Sequence, residues 1–575
     1  MPRSVVRSIA VTLLLVLASL LGRPLAAQTA TMQGTVRDSA GGPIVGASVT
    51  IDRTTLRAVT TSTGRYVLRG VPAGTQLVHI RAIGFTPLEE SVEVGAGTLD
   101  KDFAMARTAV ELAPIDVVIG SRGRHTAAEE LAVPVDVFTA EDIAQQGTTE
   151  TSQILQALAP SVNFPRQSIT DATDIVRPFT LRGLSPDQTL VLVNGWRRHQ
   201  TAVLNTFAYG MGAGSSGVDL NAIPSSAIDR IEVLRDGAAA QYGSDAIAGV
   251  VNLVLKDGKF APFLTANASQ YVTGKGYKND GTTVDLNGGV GIGLGRGSLG
   301  IFGEFQQRDP TNRAWADPYL CDPAGNCDDI DPKDGHIIRK NTTLKQPNLH
   351  WGDGLEKDAM TFANLRMPLG AAGSSEFYAF GGYSYRDGTG NPFWRYFDSN
   401  RNWQELYPQG FLPVFEPKVE DASGAAGIRT RLGGWALDFG GTYGSSRFDY
   451  HLNNTNNPSL GPCLVTACAP GADGVLGTGD DPGIPNQTDF YAGRLLRREA
   501  IGAVNLARQV EVGLPGPLSV AVGAAYRWEQ YIIRAGETAS WINGGHLDQD
   551  SLDLAPAGSS GFGGFAPSDA SDHDR

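Results

Sequence analysis

The chain has 575 residues, of which 71 are glycine and 19% are charged, and its formal net charge is −13. This length is too great for one small module, and the absence of a Gly-x-y period excludes a collagen-like chain. The acidic balance argues against nucleic acid or an anionic lipid surface as the main partner. Only one segment is continuously apolar, so any further membrane insertion would use alternating strands.

That apolar segment lies at the N-terminus. Arg3 and Arg7 precede an apolar run over residues 9–21, and Leu25-Ala26-Ala27 follow it. This order predicts a secretory signal peptide over residues 1–27, cleaved after Ala27. A transmembrane anchor is the alternative, but it needs a longer apolar run.

The four cysteines form two close pairs in loop-like sequence, Cys321 with Cys327 and Cys463 with Cys468. In an exported protein, this spacing predicts two local disulfide bonds. A zinc site that uses all four thiolates is the alternative, and it would require the two loops to converge.

Residues 28–106 contain short strand-like runs separated by turns rich in Gly and Pro. The runs cover residues 32–37, 47–52, 65–69, 77–81, 91–94 and 99–105. This pattern predicts a small β-sandwich. The sequences GTVRDSAGGPIVGASVTI and STGRYVLRGVPAGTQLVHIRAIGF resemble the carboxypeptidase-regulatory-like domain, an immunoglobulin-like accessory module. The resemblance implies a periplasmic or extracellular location and little about chemistry.

A linker follows over residues 107–125. It carries one apolar strip, Ile115, Asp116, Val117, Val118 and Ile119, between Pro114 and a Gly-rich stretch. An extended apolar strip with flexible flanks is suited to pairing with the edge of a partner's sheet. A buried linker strand is the alternative.

Residues 126–256 show a mixed α and β pattern, with an amphipathic helix over 149–158 and strands over 135–139, 179–184, 189–193, 228–234 and 246–255. Two blocks, LRGLSPDQTLVLVNGWRRH and IPSSAIDRIEVLRDGAAAQYGSDAIAGVVNLVLK, resemble the plug domain of TonB-dependent outer-membrane receptors in order and spacing. The resemblance gives the strip at residues 115–119 the position of the TonB box. It assigns these residues to the plug motif: Arg182, Gly183, Asn194, Gly195, Arg230, Glu232, Arg235, Gly237, Tyr242, Gly243 and Gly249.

Residues 257–575 alternate in polarity. Every even position from Val284 to Leu294 is apolar or glycine, and the intervening positions up to Gly289 are polar or glycine. Repeated alternation with aromatic residues, short Gly turns and long loops predicts a transmembrane antiparallel β-barrel, with a soluble sandwich as the alternative. About nine or ten strands can be counted, whereas a plugged barrel needs on the order of 22. The C-terminal sequence GSSGFGGFAPSDASDHDR has the composition of a loop. We therefore expect an incomplete, truncated barrel whose open edges would prevent stable folding in a membrane.

The sequence predicts no enzyme and no cofactor, because it lacks HExxH, HxxE, GxSxG and P-loop motifs. The loop residues Asp473, Asp480 and Asp481 are a weak Ca²⁺ candidate, and a solvated loop is the simpler interpretation.

Tyr209 and Met211 are candidates for a ligand-facing loop. For the plug arginines Arg182, Arg197, Arg198, Arg230 and Arg235, we expect pairing with acidic groups that face the barrel lumen. Asn194-Gly195 predicts a type I′ hairpin turn.

The predicted fold class is therefore mainly β: an immunoglobulin-like sandwich, an α+β plug, and an incomplete outer-membrane barrel. The resemblance implies a receptor whose N-terminal domains face the periplasm. This receptor would take up a scarce large ligand, and an iron complex is the ligand that we expect first. Its implied partners are the TonB complex of the inner membrane, outer-membrane lipid and a small-molecule or metal-chelate ligand, without nucleic acid. The alternatives are a receptor that signals without import and an exported metallocarboxypeptidase.

Overall fold

The computed structural model describes residues 29–575 except 39–40, 53, 55, 83–84, 86–87, 106–134, 206–211, 236–241, 275–277, 371–373, 465–484, 514–517 and 551–552. The predicted signal peptide and the candidate TonB box lie outside the described residues. The chain divides into two compact units, Met1–Ile115 and Asp116–Arg575. Among the described helices, none has both the length and the apolar character required to cross a membrane.

The first unit is a sandwich of two four-stranded sheets around one apolar core. Its strands are β1 (Thr29–Asp38), β2 (Ser48–Ile51), β3 (Arg57–Val59), β4 (Arg65–Pro72), β5 (Gly74–Arg81), β6 (Leu88–Val94), β7 (Thr98–Asp100) and β8 (Phe103–Met105). One sheet has the order β4-β1-β7, with β8 also on β1, and the other has the order β3-β2-β5-β6. The predicted sandwich is confirmed. The short strand β3 was not predicted, and the expected strand at 99–105 is divided into β7 and β8.

Gly34 lies where β1 passes close to another backbone. A Cβ atom at this position would lie 1.9 Å from the carbonyl oxygen of Lys101. Alanine would therefore force the strands apart and weaken the hydrogen bond from Lys101 N to Gln33 O, now 2.8 Å. We expect Gly34→Ala to destabilise this unit by about 2–3 kcal/mol. Faster hydrogen exchange in β1 peptides of the full chain would show this, whereas Gly95→Ala, which meets no atom within 4 Å, should leave exchange unchanged.

The N-terminal part of the second unit is the predicted α+β domain. Its elements are β9 (Val135–Thr139), α1 (Ala140–Ala144), α2 (Thr151–Leu158), β10 (Val162–Asn163), β11 (Thr180–Leu181), β12 (Thr189–Val193), β13 (Trp196–Arg197), β14 (Ile228–Leu234) and β15 (Gly249–Leu255). A five-stranded sheet of order β13-β12-β15-β14-β9 forms its centre. Strand β12 is buried throughout and β15 nearly so, which explains their continuous apolar sequences.

The remainder of the second unit is an antiparallel sheet of eleven strands. Its strands, together with the separate pair β19 and β20, are β16 (Phe260–Tyr271), β17 (Asp280–Leu294), β18 (Gly297–Arg308), β19 (Asp329–Ile330), β20 (Ile337–Arg339), β21 (Glu356–Leu369), β22 (Ser375–Gly388), β23 (Val414–Phe415), β24 (Lys418–Leu432), β25 (Trp435–Asn453), β26 (Phe490–Val510), β27 (Leu518–Ala535) and β28 (Ser571–Asp574), and helix α3 is Thr538–Trp541. The order β16-β17-β18-β21-β22-β24-β25-β26-β27-β28 follows the chain, with β23 on β25 and β19 paired with β20 outside this sheet.

The burial of side chains in this sheet distinguishes the barrel from a soluble sandwich. In β17, the apolar Val284 and Leu286 are 50% and 44% exposed, whereas the polar Asp285 and Asn287 are 2% and 7% exposed. In β18, Phe305 is exposed while Glu304 is buried. A soluble sandwich would bury the apolar face, so this inverted pattern is that of a barrel wall with its apolar face toward lipid.

Two expectations for the sheet have different outcomes. The prediction of about nine or ten strands is confirmed, because nine long strands and the short β28 form the main path of the sheet. The prediction that the C-terminal sequence is a loop throughout is wrong at its end. Ser571–Asp574 pairs with β27 from Ile533 to Gln530. The free edge of β27 supplies the backbone hydrogen-bonding groups, which the polar sequence Ser-Asp-His-Asp does not reveal.

Candidate functional site

The candidate site is the contact between the α+β domain and the inner face of the sheet. The apolar core of that domain continues into side chains of the wall, including Phe302, Phe362 and Tyr378. Turns at one end of the sheet are short, as at residues 295–296 and 433–434, whereas residues 309–355, 389–417, 454–489 and 536–570 connect strands at the other end. In outer-membrane barrels the long loops are extracellular and the short turns periplasmic.

A buried ion-pair network joins the domain to the wall near the long loops. Arg177 of the domain lies 3.1 Å from Asp353, 3.5 Å from Glu150 and 3.6 Å from Glu356. Arg308 of the wall contacts both Glu150 and Glu356. Each of these side chains is at most 7% exposed. Because water is excluded, a partner that is removed would leave a buried charge unpaired.

Arg386 extends this network through a second domain residue. Its guanidinium group lies 2.9 Å from Asp219 of the domain and 2.6 Å from Asp358 of the wall. It also donates to the backbone carbonyl of Ile175 at 3.2 Å. One wall arginine therefore holds two separate segments of the domain.

Asp353 lies in the loop before β21 and takes part in this network. Burial would raise the pKa of its carboxyl group, but Arg177, Arg308 and Arg166 outweigh burial and hold the pKa below its ordinary value. Asp353 is therefore ionised over the physiological range and accepts from Arg177.

A second contact lies further along the wall, at β24 and β25. His199 Nε2 lies 2.9 Å from Asp421, and Arg198 lies 2.5 Å from the same carboxylate. A Cβ atom at Gly444 would lie 2.0 Å from the His199 ring. The imidazole ring therefore lies against the wall at a position where only glycine leaves enough space.

The segment of the domain beneath the long loops is strained and acidic. Ile169 and Asp171 have φ angles of 60° and 56°, which are unfavourable for residues other than glycine and occur most often at functional sites. Burial raises the pKa of Asp171 and of Asp174 to about 6. The proximity of Asp174 raises the pKa of Asp171 further, and Arg395 opposes the shift. Backbone hydrogen bonds and Arg177 oppose the shift at Asp174.

This segment should become less stable as the pH rises. The folded pKa values of about 6 exceed the ordinary value of 3.8, so the folded state binds more protons between these values and stability falls through this window. We expect slower hydrogen exchange over residues 165–179 at pH 5 than at pH 7.5, after correction for intrinsic rates. The variant Asp171→Asn/Asp174→Asn should remove the difference and stabilise the segment at pH 7.5 by up to about 2 kcal/mol. An unchanged pH dependence in that variant would contradict the assignment.

Most of the predicted plug-motif residues that are described stabilise the domain internally. Asn194 and Gly195 have φ angles of 50° and 85°, which confirms the type I′ turn. Glu232 is fully buried and accepts from Asn252 at 2.9 Å. Arg182 donates to the backbone carbonyl of Arg235 at 2.7 Å.

The expected pairing of the plug arginines with lumen-facing acids is found for Arg198 and is wrong for Arg197 and Arg235. Arg198 pairs with Asp421 of the wall. Arg197 pairs with Asp245, Arg230 with Glu232, and Arg235 with Asp136, all within the domain, and Arg182 has the carbonyl contact given above. The reason for Arg197 and Arg235 is local geometry, because Asp245 lies on a nearby turn and Asp136 on the neighbouring strand β9.

Several other candidates lie at other places in the chain. Tyr242 is half-buried beside a small apolar cluster of the domain. Gly183, Gly243 and Gly249 have positive φ angles. Tyr209, Met211, Gly237 and the Ca²⁺ candidates Asp473, Asp480 and Asp481 lie outside the described residues.

Cys321 is disulfide-bonded to Cys327, and Cys463 is also disulfide-bonded, while Cys468 lies outside the described residues.

The network residues were missed by the sequence analysis. They are Glu150, Arg177, Asp219, Arg308, Asp353, Glu356, Asp358, Arg386 and Asp421. For the wall residues, a signal was present: in the sequence EKDAMTF of β21, Glu356 and Asp358 alternate on the face opposite the lipid-facing residues. Within the described residues, no group of three or more His, Cys, Asp or Glu side chains is arranged to hold a metal ion.

Comparison with known families agrees with this architecture. Residues 127–250 match the TonB-dependent Receptor Plug Domain, and residues 31–106 match the Carboxypeptidase regulatory-like domain. The chain therefore contains a plug domain of the TonB-dependent receptor type and an N-terminal carboxypeptidase regulatory-like domain. We call the α+β domain over residues 126–256, which contains the matched residues 127–250, the plug below.

Relatives of known function match about a quarter of the chain. The chain is 38% identical over 135 residues to the ferric enterobactin receptor of Pseudomonas aeruginosa, which is 23% of this chain and 18% of that protein. It is 35% identical over 137 residues to the ferrienterobactin receptor of Escherichia coli, 23% of this chain and 18% of that protein. It is 34% identical over 140 residues to the vitamin B12 transporter BtuB of Vibrio cholerae, 24% of this chain and 20% of that protein. The matched segment thus spans about a fifth of each relative.

Two solved structures show similarity over a longer part of the chain. A variant of the ferric enterobactin receptor of Pseudomonas aeruginosa aligns with a TM-score of 0.46 and 18% identity, covering 74% of this chain and 53% of that one. The siderophore receptor PirA from Acinetobacter baumannii aligns with a TM-score of 0.43 and 18% identity, covering 69% and 48%. The chain spans about half the length of these structures.

Proposed function

We propose that the chain acts in the energised uptake of a scarce metal chelate across the outer membrane. A siderophore complex is the chelate that we propose first. The observation that carries this proposal is the plug held against the inner face of the wall by a buried ion-pair network. A lumen filled in this way does not conduct freely, so passage of a large ligand requires the plug to move. The sequence similarity of a segment of 135–140 residues to ferric enterobactin receptors and to a vitamin B12 transporter supports a large chelated ligand.

The layout that we propose assigns a role to each part. Residues 1–27 direct export, residues 28–106 form the accessory sandwich, and residues 107–125 present Ile115–Ile119 to the TonB complex. Residues 126–256 form the plug, and residues 257–575 contribute barrel strands in contact with outer-membrane lipid. The N-terminal domains would then face the periplasm, where a pull on the linker reaches the plug directly.

The ligand class can be tested by equilibrium binding. Purified full chain in detergent would be titrated with ferric enterobactin, a ferric trihydroxamate and cyanocobalamin, and tryptophan fluorescence would report binding. The proposal expects saturable binding of one of these chelates and no binding of the iron-free siderophores at the same concentration. Absence of saturable binding by all three would contradict it.

Energy coupling is tested separately in cells. Uptake of the bound chelate should be lost when residues 107–125 are deleted, while binding at the surface persists. Equal uptake with and without this segment would contradict the proposed role of the linker.

A further inference from the structure

Strand β4 of the sandwich has a free edge. In its antiparallel pairing with β1, Gly34 is opposite Tyr66 and Met32 is opposite Leu68. Val36 N donates to Gly64 O across the same pair. The backbone N–H and C=O groups of the even-numbered residues of β4 therefore bond to β1, and those of the odd-numbered residues point away from β1. Within the described residues, no hydrogen bond engages the backbone N–H or C=O groups of Val67 or Arg69. These four groups are oriented as in a strand that can accept a neighbour.

The side chains around this edge are basic and unpaired. Arg65 and Arg69 are exposed on β4, and Arg57 is exposed on β3, which lies against β4. None of their three guanidinium groups has an ion pair or hydrogen bond to a described residue. Between them, Val59 and Val67 are 54% and 44% exposed.

The carboxylates of the same unit are already engaged elsewhere. Glu90 pairs with Lys101 at 2.6 Å, and Glu89 lies 3.0 Å from His79. Asp100 accepts from Gln33, and Asp102 accepts from the backbone and side chain of Thr35. Within the described residues of the unit, no carboxylate forms an ion pair with Arg57, Arg65 or Arg69.

We propose that the β4 edge binds an extended acidic segment of a partner protein, which adds to the sheet as a further strand. Arg65, Val67 and Arg69 project from one face of β4, so the complementary segment has the pattern Glu-x-Val-x-Glu, with an apolar residue opposite Val67. A strand rather than a lipid headgroup is favoured because the free backbone groups repeat at strand spacing and require donors and acceptors in register. A charged edge would also deter self-pairing, but that role leaves the exposed Val59 and Val67 unexplained.

The test uses the full chain and a fluorescent peptide of sequence Ser-Glu-Thr-Val-Thr-Glu-Ser, measured by anisotropy. We expect this peptide to bind, and a peptide with Lys in place of both Glu residues to bind at least tenfold more weakly. The variant Arg65→Glu/Arg69→Glu should reverse this preference. A peptide with N-methyl groups on one backbone edge should lose binding, because it cannot pair with Val67 and Arg69.

Controls make each outcome decisive. Arg81→Glu reverses an exposed arginine on β5, away from this edge, and should leave peptide binding unchanged. If the double charge reversal fails to fold, Arg65→Gln/Arg69→Gln replaces it and should weaken binding at least fivefold. Equal binding of the methylated peptide, no binding of the acidic peptide, or preferential binding of phosphatidylglycerol vesicles would overturn the proposal.

Discussion

Arg177→Met is expected to loosen the plug from the wall by about 3–5 kcal/mol. The substitution keeps an unbranched apolar stem but removes the guanidinium charge that faces Asp353, Glu150 and Glu356. Their carboxylates would remain buried with fewer partners. The unpaired buried charge is what makes the loss of one partner strongly destabilising. Hydrogen exchange of α2 and of residues 165–179 in the full chain would report the change.

A matched control separates this effect from the loss of any arginine. Arg431→Met removes an exposed guanidinium group near the end of β24, where water screens the charge, and should change exchange very little. Equal protection of the plug in Arg177→Met and Arg431→Met would contradict the role given to the network. A double variant that also neutralises Asp353 should recover part of the lost stability, because one unpaired charge is removed.

Gly444→Ala is expected to displace the plug at its second contact. The new methyl group would lie 2.0 Å from His199 Nδ1 and 2.3 Å from His199 Cγ, so the imidazole ring must move and its contact with Asp421 must lengthen. Overpacking of this kind costs about 1–3 kcal/mol, and the weakened His199–Asp421 pair adds to it. The variant should show faster hydrogen exchange at β12 and β13 than the parent chain.

Gly424→Ala is the control for this prediction. Gly424 lies on the neighbouring strand β24 opposite Tyr443, and a Cβ atom there meets no atom within 4 Å. The control should therefore leave the exchange of β12 and β13 unchanged. If both variants behaved alike, close packing of His199 on the wall would not explain the glycine at position 444.

The fold was predictable where the pattern of the sequence has one structural solution. The alternation in β17 sets which residues share a face, and the continuous apolar run in β15 requires burial on both faces. Alternation alone does not decide which face is buried, so a barrel and a soluble sandwich remained open until the exposed Val284 and the buried Asp285 were seen. The short strand β28 was not predictable, because its pairing depends on the edge of β27 rather than on its own sequence.

The site was predictable to a smaller extent. The plug motif identified the domain, yet its arginines mostly bind acids within the same domain, because nearby sequence also supplies close acidic neighbours, as for Arg230 and Glu232. The network that joins plug and wall depends on residues far apart in sequence, such as Arg177 with Asp353 and Asp219 with Arg386. Such pairs arise only from tertiary packing, and a single sequence without related sequences contains no signal for them.

In the proposed function the plug must move for a ligand to pass, and a disulfide tether between plug and wall tests this requirement. Ala202 N of the plug donates to Ser446 Oγ of the wall at 3.1 Å, so these two positions are in direct contact and are the pair chosen for cysteine substitution. Uptake of ⁵⁵Fe-labelled chelate would be measured in cells that carry Ala202→Cys/Ser446→Cys, oxidised and then reduced. We expect the oxidised cells to bind the chelate without importing it, and reduction to restore import. Equal import in the oxidised and reduced cells, with the tether shown to be formed, would contradict the proposed movement of the plug.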